Sequence, residues 1–234
     1  MHPTDKAARV AGALYPLMGA PAVFSFGYVA HTLIVPGNAN ATANNILASQ
    51  MLFRLGIVAE LIAAVFLLLL VMALYRLLCE VNKAHARLMV ALVLVSVAIT
   101  SVHVLNNIAA LTLFRGAEYL AAFDKPQRDA LAMLFLGLHR QGLAVVGIFW
   151  GLWLFPFGVL VMRSGFLPRI LGLLLIVNCF GYVAASLASL LLPSYANVVS
   201  RAILPALLGE LWIMLWLLIK GANVQPRTAA ELGS

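Results

Sequence analysis

Six apolar stretches, each about as long as a bilayer is thick, divide this sequence at residues 9–33, 51–75, 88–113, 131–162, 169–192 and 198–220. Crossing a hydrocarbon core in a helix takes about 20 predominantly apolar residues. A chain that does so must also satisfy its backbone polar groups internally. The pattern therefore predicts an all-α fold, a polytopic transmembrane helical bundle of six spans in a single domain over residues 1–234. Charged residues make up only 10% of the chain, against about a quarter in soluble domains. The N-terminal run is long for a signal-peptide core and contains Pro16 and Pro21, so it reads as a retained first span. The second helix is expected to begin early, near Thr42. The fourth should begin near Asp124, where "DKPQ" offers an N-cap, a first-turn proline and Gln127 at the third helical position. "LPR" at 167–169 opens the fifth.

The formal net charge is +7, but the basic residues form no dense patch, so nucleic acid is not an expected partner and the lipid bilayer is. Lys6, Arg9, Arg76, Lys83, Arg87, Arg163, Arg169, Lys220 and Arg227 fall on one side of the six spans. Arg115, Lys125 and Arg128 fall on the other, accompanied by Glu118, Asp124 and Asp129. The excess predicts that both termini are cytoplasmic. Cys79 and Cys179 are too few for a disulfide framework.

Ionisable groups inside spans usually face a bundle interior or a wet cavity. In "FRLGIVAELI", residues 53–62, Arg54 and Glu60 stand six apart, about 120° apart around a helix. That is too far to pair locally, so each needs a partner on another helix. Glu60 shares its face with Gly56, Ala63 and Ala64; Ser96, Thr100, His103 and Asn107 form one stripe, with Asn106 beside it. Asn178, Tyr182, Ser186 and Ser189 form another, and Arg140 shares phase with Gly137, Ala144, Gly147 and Gly151. All are expected to point inward. Counted from the basic ends at about 1.5 Å per residue, Glu60 and His103 stand roughly 24–26 Å up. Arg54, His31, His139 and Arg140 then stand near roughly 33–36 Å, and Glu210 and Tyr182 around about 15–20 Å.

Glu60 and Glu210 have two readings. Paired with Arg54, Arg140 or Arg201, they hold helices together; with no arginine beside them, they are candidate catalytic acid–base groups. His103 and His139 with Glu60 could ligate a metal such as zinc and activate water. No HExxH or similar spacing supports that, and the counted heights differ by about 10 Å, which also disfavours haem. The cofactor is accordingly left undefined. A histidine hydrogen-bonded to Asn106, Asn107 or Glu60 is the preferred reading. Trp150, Trp153, Trp212 and Trp216 are read as belt and packing residues.

"TANNILASQMLFRLGIVAEL" (42–61), "ALYRLLCEVN" (73–82), "RSGFLPRILGLLL" (163–175) and "LLGELWIMLWLLIKG" (207–221) together resemble the bacterial integral membrane family known as domain of unknown function 4386. The resemblance runs across nearly the whole chain and implies a small multi-helix protein of the bacterial inner membrane. It implies no reaction.

Three functions follow, in order of preference. The first is a polar pocket in the outer half of the bundle for a small amphiphilic or anionic ligand, such as a lipid headgroup or a quinone-like molecule. Arg54, Arg140 and Arg201 would attract it, while His103, Asn107, His139, Asn178 and Tyr182 would orient it. The second is an intramembrane enzyme acting on a lipophilic substrate, through Glu60 and Glu210 or through a His103/His139/Glu60 metal site. The third is a small-solute transporter, suggested by prolines 16, 21 and 205. Oligomeric state is not legible.

Overall fold

The structure, a computed structural model, describes residues 3–222; the side chains at positions 3, 197 and 200–208, Arg201 and Pro205 among them, lie outside that description. Among the described residues the regular structure is entirely helical. α1 (Pro3–Ala22) passes through a π-helical turn at Val23–Val29 into the short α2 (Ala30–Leu33). α3 (Ala39–Ala48), α4 (Gln50–Leu78), α5 (Lys83–Arg115), α6 (Lys125–Leu152), α7 (Leu154–Arg163), α8 (Arg169–Leu191) and α9 (Ala196–Ile219) follow.

Among the described residues, five helical segments are long and apolar enough to cross a membrane: Thr4–Leu33, Gln50–Leu78, Lys83–Arg115, Lys125–Arg163 and Arg169–Leu191. Length and composition thus make this a multi-pass membrane protein. In the sixth expected span, the described apolar portion is the shorter Gly209–Ile219.

The local signals explain the helix boundaries. Asp124 caps α6, accepting from the Gln127 backbone N–H at 2.8 Å, while the Gln127 side chain accepts from the Asp124 N–H at 3.0 Å. Both otherwise orphaned donors are satisfied reciprocally. Pro168 takes the N-cap position of α8 in an extended conformation, one residue outside the helix. The early start expected for the second span proves to be a separate element. α3 ends at Ala48, and Ser49, at φ −127° and ψ 45°, breaks it from α4. Pro16 and Pro21 lack the N–H that would reach back along α1. The helix winds wider directly after them, as a π turn does where the regular ladder is interrupted.

The packed pairs α1–α4, α4–α5, α5–α6, α6–α8, α8–α9 and α9–α1 close a ring in which consecutive long helices are neighbours. α7 continues α6 past a break at Trp153 and packs on α8. Two apolar cores fill the ring. One contains Leu67, Leu70, Leu74, Met89, Val93, Phe157, Leu175, Ile213 and Leu217. The other contains Val29, Phe53, Ile57, Val104, Phe114, Ala132 and Leu136. Along α4 the seam between them falls between Ile57 and Leu67, and along α5 between Val93 and Val104. Glu60, Ser96, Thr100 and His103 occupy that seam.

Candidate metal centre

Glu60 lies ten residues into α4, His103 twelve residues before the end of α5, and His139 fourteen residues into α6. Because these helices alternate in direction, near-equal counts from one end of the bundle bring the three side chains to one level. His103 Nδ1 is 3.8 Å from Glu60 Oε1, and His139 Nε2 is 3.5 Å from Glu60 Oε2. The two imidazole rings are 4.7 Å apart between centroids. One donor atom from each residue lies within 4.8 Å of the other two. The side chains are 1%, 7% and 12% exposed for Glu60, His103 and His139, so the group is shielded from the molecule's surface.

The hydrogen bonds assign the ring tautomers. His139 Nδ1 is 3.3 Å from the His103 backbone carbonyl oxygen, which can only accept, so Nδ1 carries the proton. Nε2 of His139 then presents a lone pair toward Glu60. His103 Nδ1, 3.1 Å from that same protonated Nδ1, must also present a lone pair. Neither Glu60 oxygen has a hydrogen-bond partner among the described residues, and neither does His103 Nε2. The two Glu60 oxygens are therefore buried acceptors without a described donor, beside two imidazole nitrogens whose lone pairs face His139 Nδ1–H and Asn107 Nδ2. Asn107 Nδ2, 3.3 Å from His139 Nε2, is the nearby donor that competes for one of these nitrogens. A buried carboxylate with no donor to either oxygen is electrostatically incomplete, and a cation or a proton would complete it.

The expected polar stripe of α5 is confirmed as inward-facing, since Ser96, Thr100, His103 and Asn107 are all buried. Hydrogen bonds from Asn107 Nδ2 to His139 Nε2 and from Asn106 Nδ2 to the His103 carbonyl oxygen at 2.9 Å also fit the preferred reading. The 10 Å height difference does not. It was counted from Arg163, and the α6–α7 segment is 39 residues long with a break at Trp153, against 33 for α5. Counting through a broken helix overstated the height of His139.

Arg54 and Arg140 are exposed and form no ion pair among the described residues, which corrects the expectation that both point inward. Arg140 does share phase with Gly147 and Gly151, which pack on α8. A Cβ at Gly151 would meet the Cys179 carbonyl oxygen and one at Gly147 would meet Ser186. Seven residues further out α6 has run past the end of α8 at Leu191, so the same face has no helix to meet. Ser189 is likewise exposed. The side chain of Arg201 lies outside the described residues. Among those described, no arginine pairs with Glu60 or Glu210.

Glu210 belongs to a second polar group. Asn178 Nδ2 donates to Glu210 Oε1 at 3.2 Å, and Tyr182 lines the same cavity. Among the described residues, the Tyr15 hydroxyl and Asn178 Oδ1 are buried without hydrogen-bond partners. Both groups reach one cavity of about 230 Å³ inside the ring. Glu60, Thr100, Tyr182 and Glu210 are its polar lining, while Ala63, Leu67, Val97, Phe26, Trp150 and Trp153 are part of its apolar lining.

Sequence reasoning gave Trp150 and Trp153 to packing and overlooked Phe26 and Gly142. Phe26 is set against Trp150, with ring centroids 6.2 Å apart, by a π turn that no propensity scale marks. Gly142 was detectable, standing three residues from His139 and so on its face. A Cβ there would come 3.0 Å from His103 Cβ and 3.1 Å from its Cγ.

No curated protein and no solved structure matches the chain. The sequence blocks around Arg54, Glu60, Arg163 and Glu210 are explained by a family model covering most of the length: the chain belongs to the family described as Domain of unknown function (DUF4386), whose model matches residues 10–221.

Proposed function

We propose that this is an intramembrane metalloenzyme in which Glu60, His103 and His139 hold a divalent transition metal, zinc foremost, beside a cavity that admits a lipophilic substrate. The observation that carries the proposal is the convergence of one possible ligand atom each from Glu60, His103 and His139, all within 4.8 Å of one another, beside a carboxylate with no described donor. Two imidazole nitrogens and a carboxylate form the three-ligand set of many catalytic zinc sites, which leave a further position open for water or substrate. Zinc–nitrogen and zinc–oxygen bonds of about 2.0–2.1 Å put tetrahedral ligands about 3.3 Å apart; the imidazole nitrogens stand 3.8 Å from Glu60 Oε1 and 3.5 Å from Glu60 Oε2, and the possible ligand atoms all lie within 4.8 Å, so small side-chain movements would close them on an ion. The His139 Nδ1–H bond to a backbone carbonyl is the outer contact that fixes a ligating histidine's tautomer. Such a metal supplies Lewis acidity and a nucleophilic water near neutral pH.

This reading puts the second of the sequence-based functions ahead of the first. Arg54 and Arg140, two of the arginines proposed to attract an anionic ligand, do not line the cavity, whose described lining carries two carboxylates and no lysine or arginine. A neutral amphiphile suits it better. We take the chain as six spans in one domain of the bacterial inner membrane with both termini cytoplasmic. Supporting this, Lys6, Arg9, Arg76, Lys83, Arg163, Arg169 and Lys220 all belong to the helix ends of one side of the alternating ring.

The direct test is elemental analysis of protein purified in detergent without chelator and then equilibrated with zinc, ferrous or manganous ion. About one equivalent of a transition metal per chain supports the proposal. Failure to retain any of the three at micromolar free metal overturns it, and leaves a proton shared between Glu60 and a histidine as the cation. Gly142→Ala provides an independent check. The added methyl presses on the base of the His103 side chain, and loss of ligand orientation costs about 10–100-fold in metal affinity. Metal titration of this variant reads that loss directly.

A further inference from the structure

The metal reading leaves one carboxylate of the cavity unused. Glu210 faces the same space as Glu60 but comes from α9, on the other side of α1 in the ring. Its hydrogen-bond partner is the neutral Asn178 amide N–H, the neutral Tyr182 phenol lines the same cavity, and among the described residues it forms no ion pair. The amide orients it without neutralising it. Beside the two carboxylates the described lining includes apolar Ala63, Ala64, Leu67 and Val97, with the Thr100 hydroxyl and the Tyr182 phenol as further polar groups. An ordered water requires two to four polar partners, so the apolar part of the lining suits hydrocarbon better than a file of solvent.

Resting on the metal reading above, we propose that Glu210 is the proton-transferring residue of the site and that the substrate is a neutral lipophilic acyl ester or amide. Its hydrocarbon lies along Phe26, Trp150 and Trp153, and its carbonyl reaches the Glu60–His103–His139 group. In the reaction, a water oxygen forms a bond to the carbonyl carbon and Glu210 accepts the proton that this water gives up. The carbon–oxygen or carbon–nitrogen bond to the leaving group then breaks, and the proton held by Glu210 passes to the leaving alkoxide or amine. The products are a carboxylic acid and an alcohol or amine, with no change of oxidation state. Among the described residues the lining carries two carboxylates and no lysine or arginine, which argues against a phosphate ester, whose charge the carboxylates would repel.

Octanohydroxamic acid is the probe, because it combines a metal-binding head with an eight-carbon tail and loses one proton when it binds as the hydroxamate. Cobalt-loaded wild type and Glu210→Gln are titrated calorimetrically in buffers of differing ionisation enthalpy, which counts the protons released to solvent. Gln keeps an oxygen for the Asn178 amide, so a purely structural role is preserved. Wild type is expected to release close to no protons, since Glu210 takes up the one lost. Glu210→Gln is expected to release about one and to bind the probe at least tenfold more weakly, with unchanged cobalt content and absorption. Equal proton release from both proteins overturns the role of Glu210 while leaving the metal centre standing. Absence of cobalt from both overturns the metal reading and this proposal with it. Octylphosphonate, matched in tail, is expected to bind at least tenfold more weakly than the hydroxamate, and equal binding overturns the acyl class.

Discussion

Replacing His103 or His139 by Ala, or Glu60 by Gln, is expected to abolish stoichiometric metal binding, lowering affinity by more than 100-fold. The bound is set by comparison: losing only an outer partner that orients a ligand costs about 10–100-fold, and these substitutions remove the donor atom itself. Glu60→Gln is the sharpest of the three. It preserves side-chain volume in a position that is 1% exposed and changes only the charge and basicity of the oxygens. Metal that binds the folded state alone stabilises it by RT ln(1 + [L]/Kd), about 2.7 kcal/mol at one hundred times Kd. In a chain of this size that amounts to roughly 5–10 °C in unfolding temperature. Wild type should therefore melt higher with metal than with chelator, and the three variants should melt at the same temperature in both. A metal-dependent shift that survives in Glu60→Gln would place the bound ion elsewhere.

The architecture was legible because its causes are local and repeated. Apolar runs of bilayer length, basic flanks and the Asp124–Gln127 cap each act within a few residues, and α4 through α8 begin or end close to where those signals fall. Helical phase also found the inward faces of Glu60 and of the Ser96–Asn107 stripe, because neighbours cover both along the whole relevant length. It failed for Arg140 for a physical reason: phase says which residues share a face, not how far the opposing helix extends, and α8 stops at Leu191. The meeting of His103 and His139 was hidden for a related reason. Their levels depend on the break at Trp153, whereas counts from the α5–α6 connection, twelve residues and fourteen, match without it. The shortest path through the chain is the better ruler. The cavity was the least legible feature, because a void depends on where several helices fail to touch, and no single segment encodes that.

The close contact of α7 with α8 fixes that void from one side, and Gly158→Val is expected to destroy both. A Cβ at Gly158 would stand 2.6 Å from the Gly172 carbonyl oxygen and 2.8 Å from Ile176 Cγ1, and one at Gly172 would stand 2.5 Å from the Gly158 carbonyl oxygen. The obstruction is backbone against backbone, so no rotamer change can relieve it; the helices must separate. Overpacking a tight interior site typically costs 1–3 kcal/mol and occasionally more, and about 3 kcal/mol is expected here because the strain cannot be spread into flexible side chains. Separation also moves Trp153, which begins the α6–α7 break, stacks on Phe157 at 5.5 Å between ring centroids and lines the cavity. Gly158→Val should accordingly lower thermal stability and, at temperatures where it remains folded, weaken octanohydroxamate binding while leaving metal content near wild type. The metal ligands come from α4, α5 and the first half of α6, on the other side of the break. Gly165→Val is the control. That glycine has φ +72° and nothing within 4 Å of its Cβ position, so it pays the backbone cost of a left-handed residue without pushing any helix apart. Unchanged probe binding in Gly165→Val beside weakened binding in Gly158→Val would tie the substrate cavity to the α7–α8 contact; weakening of equal size in both would show that general destabilisation, not the position of Trp153, sets the affinity.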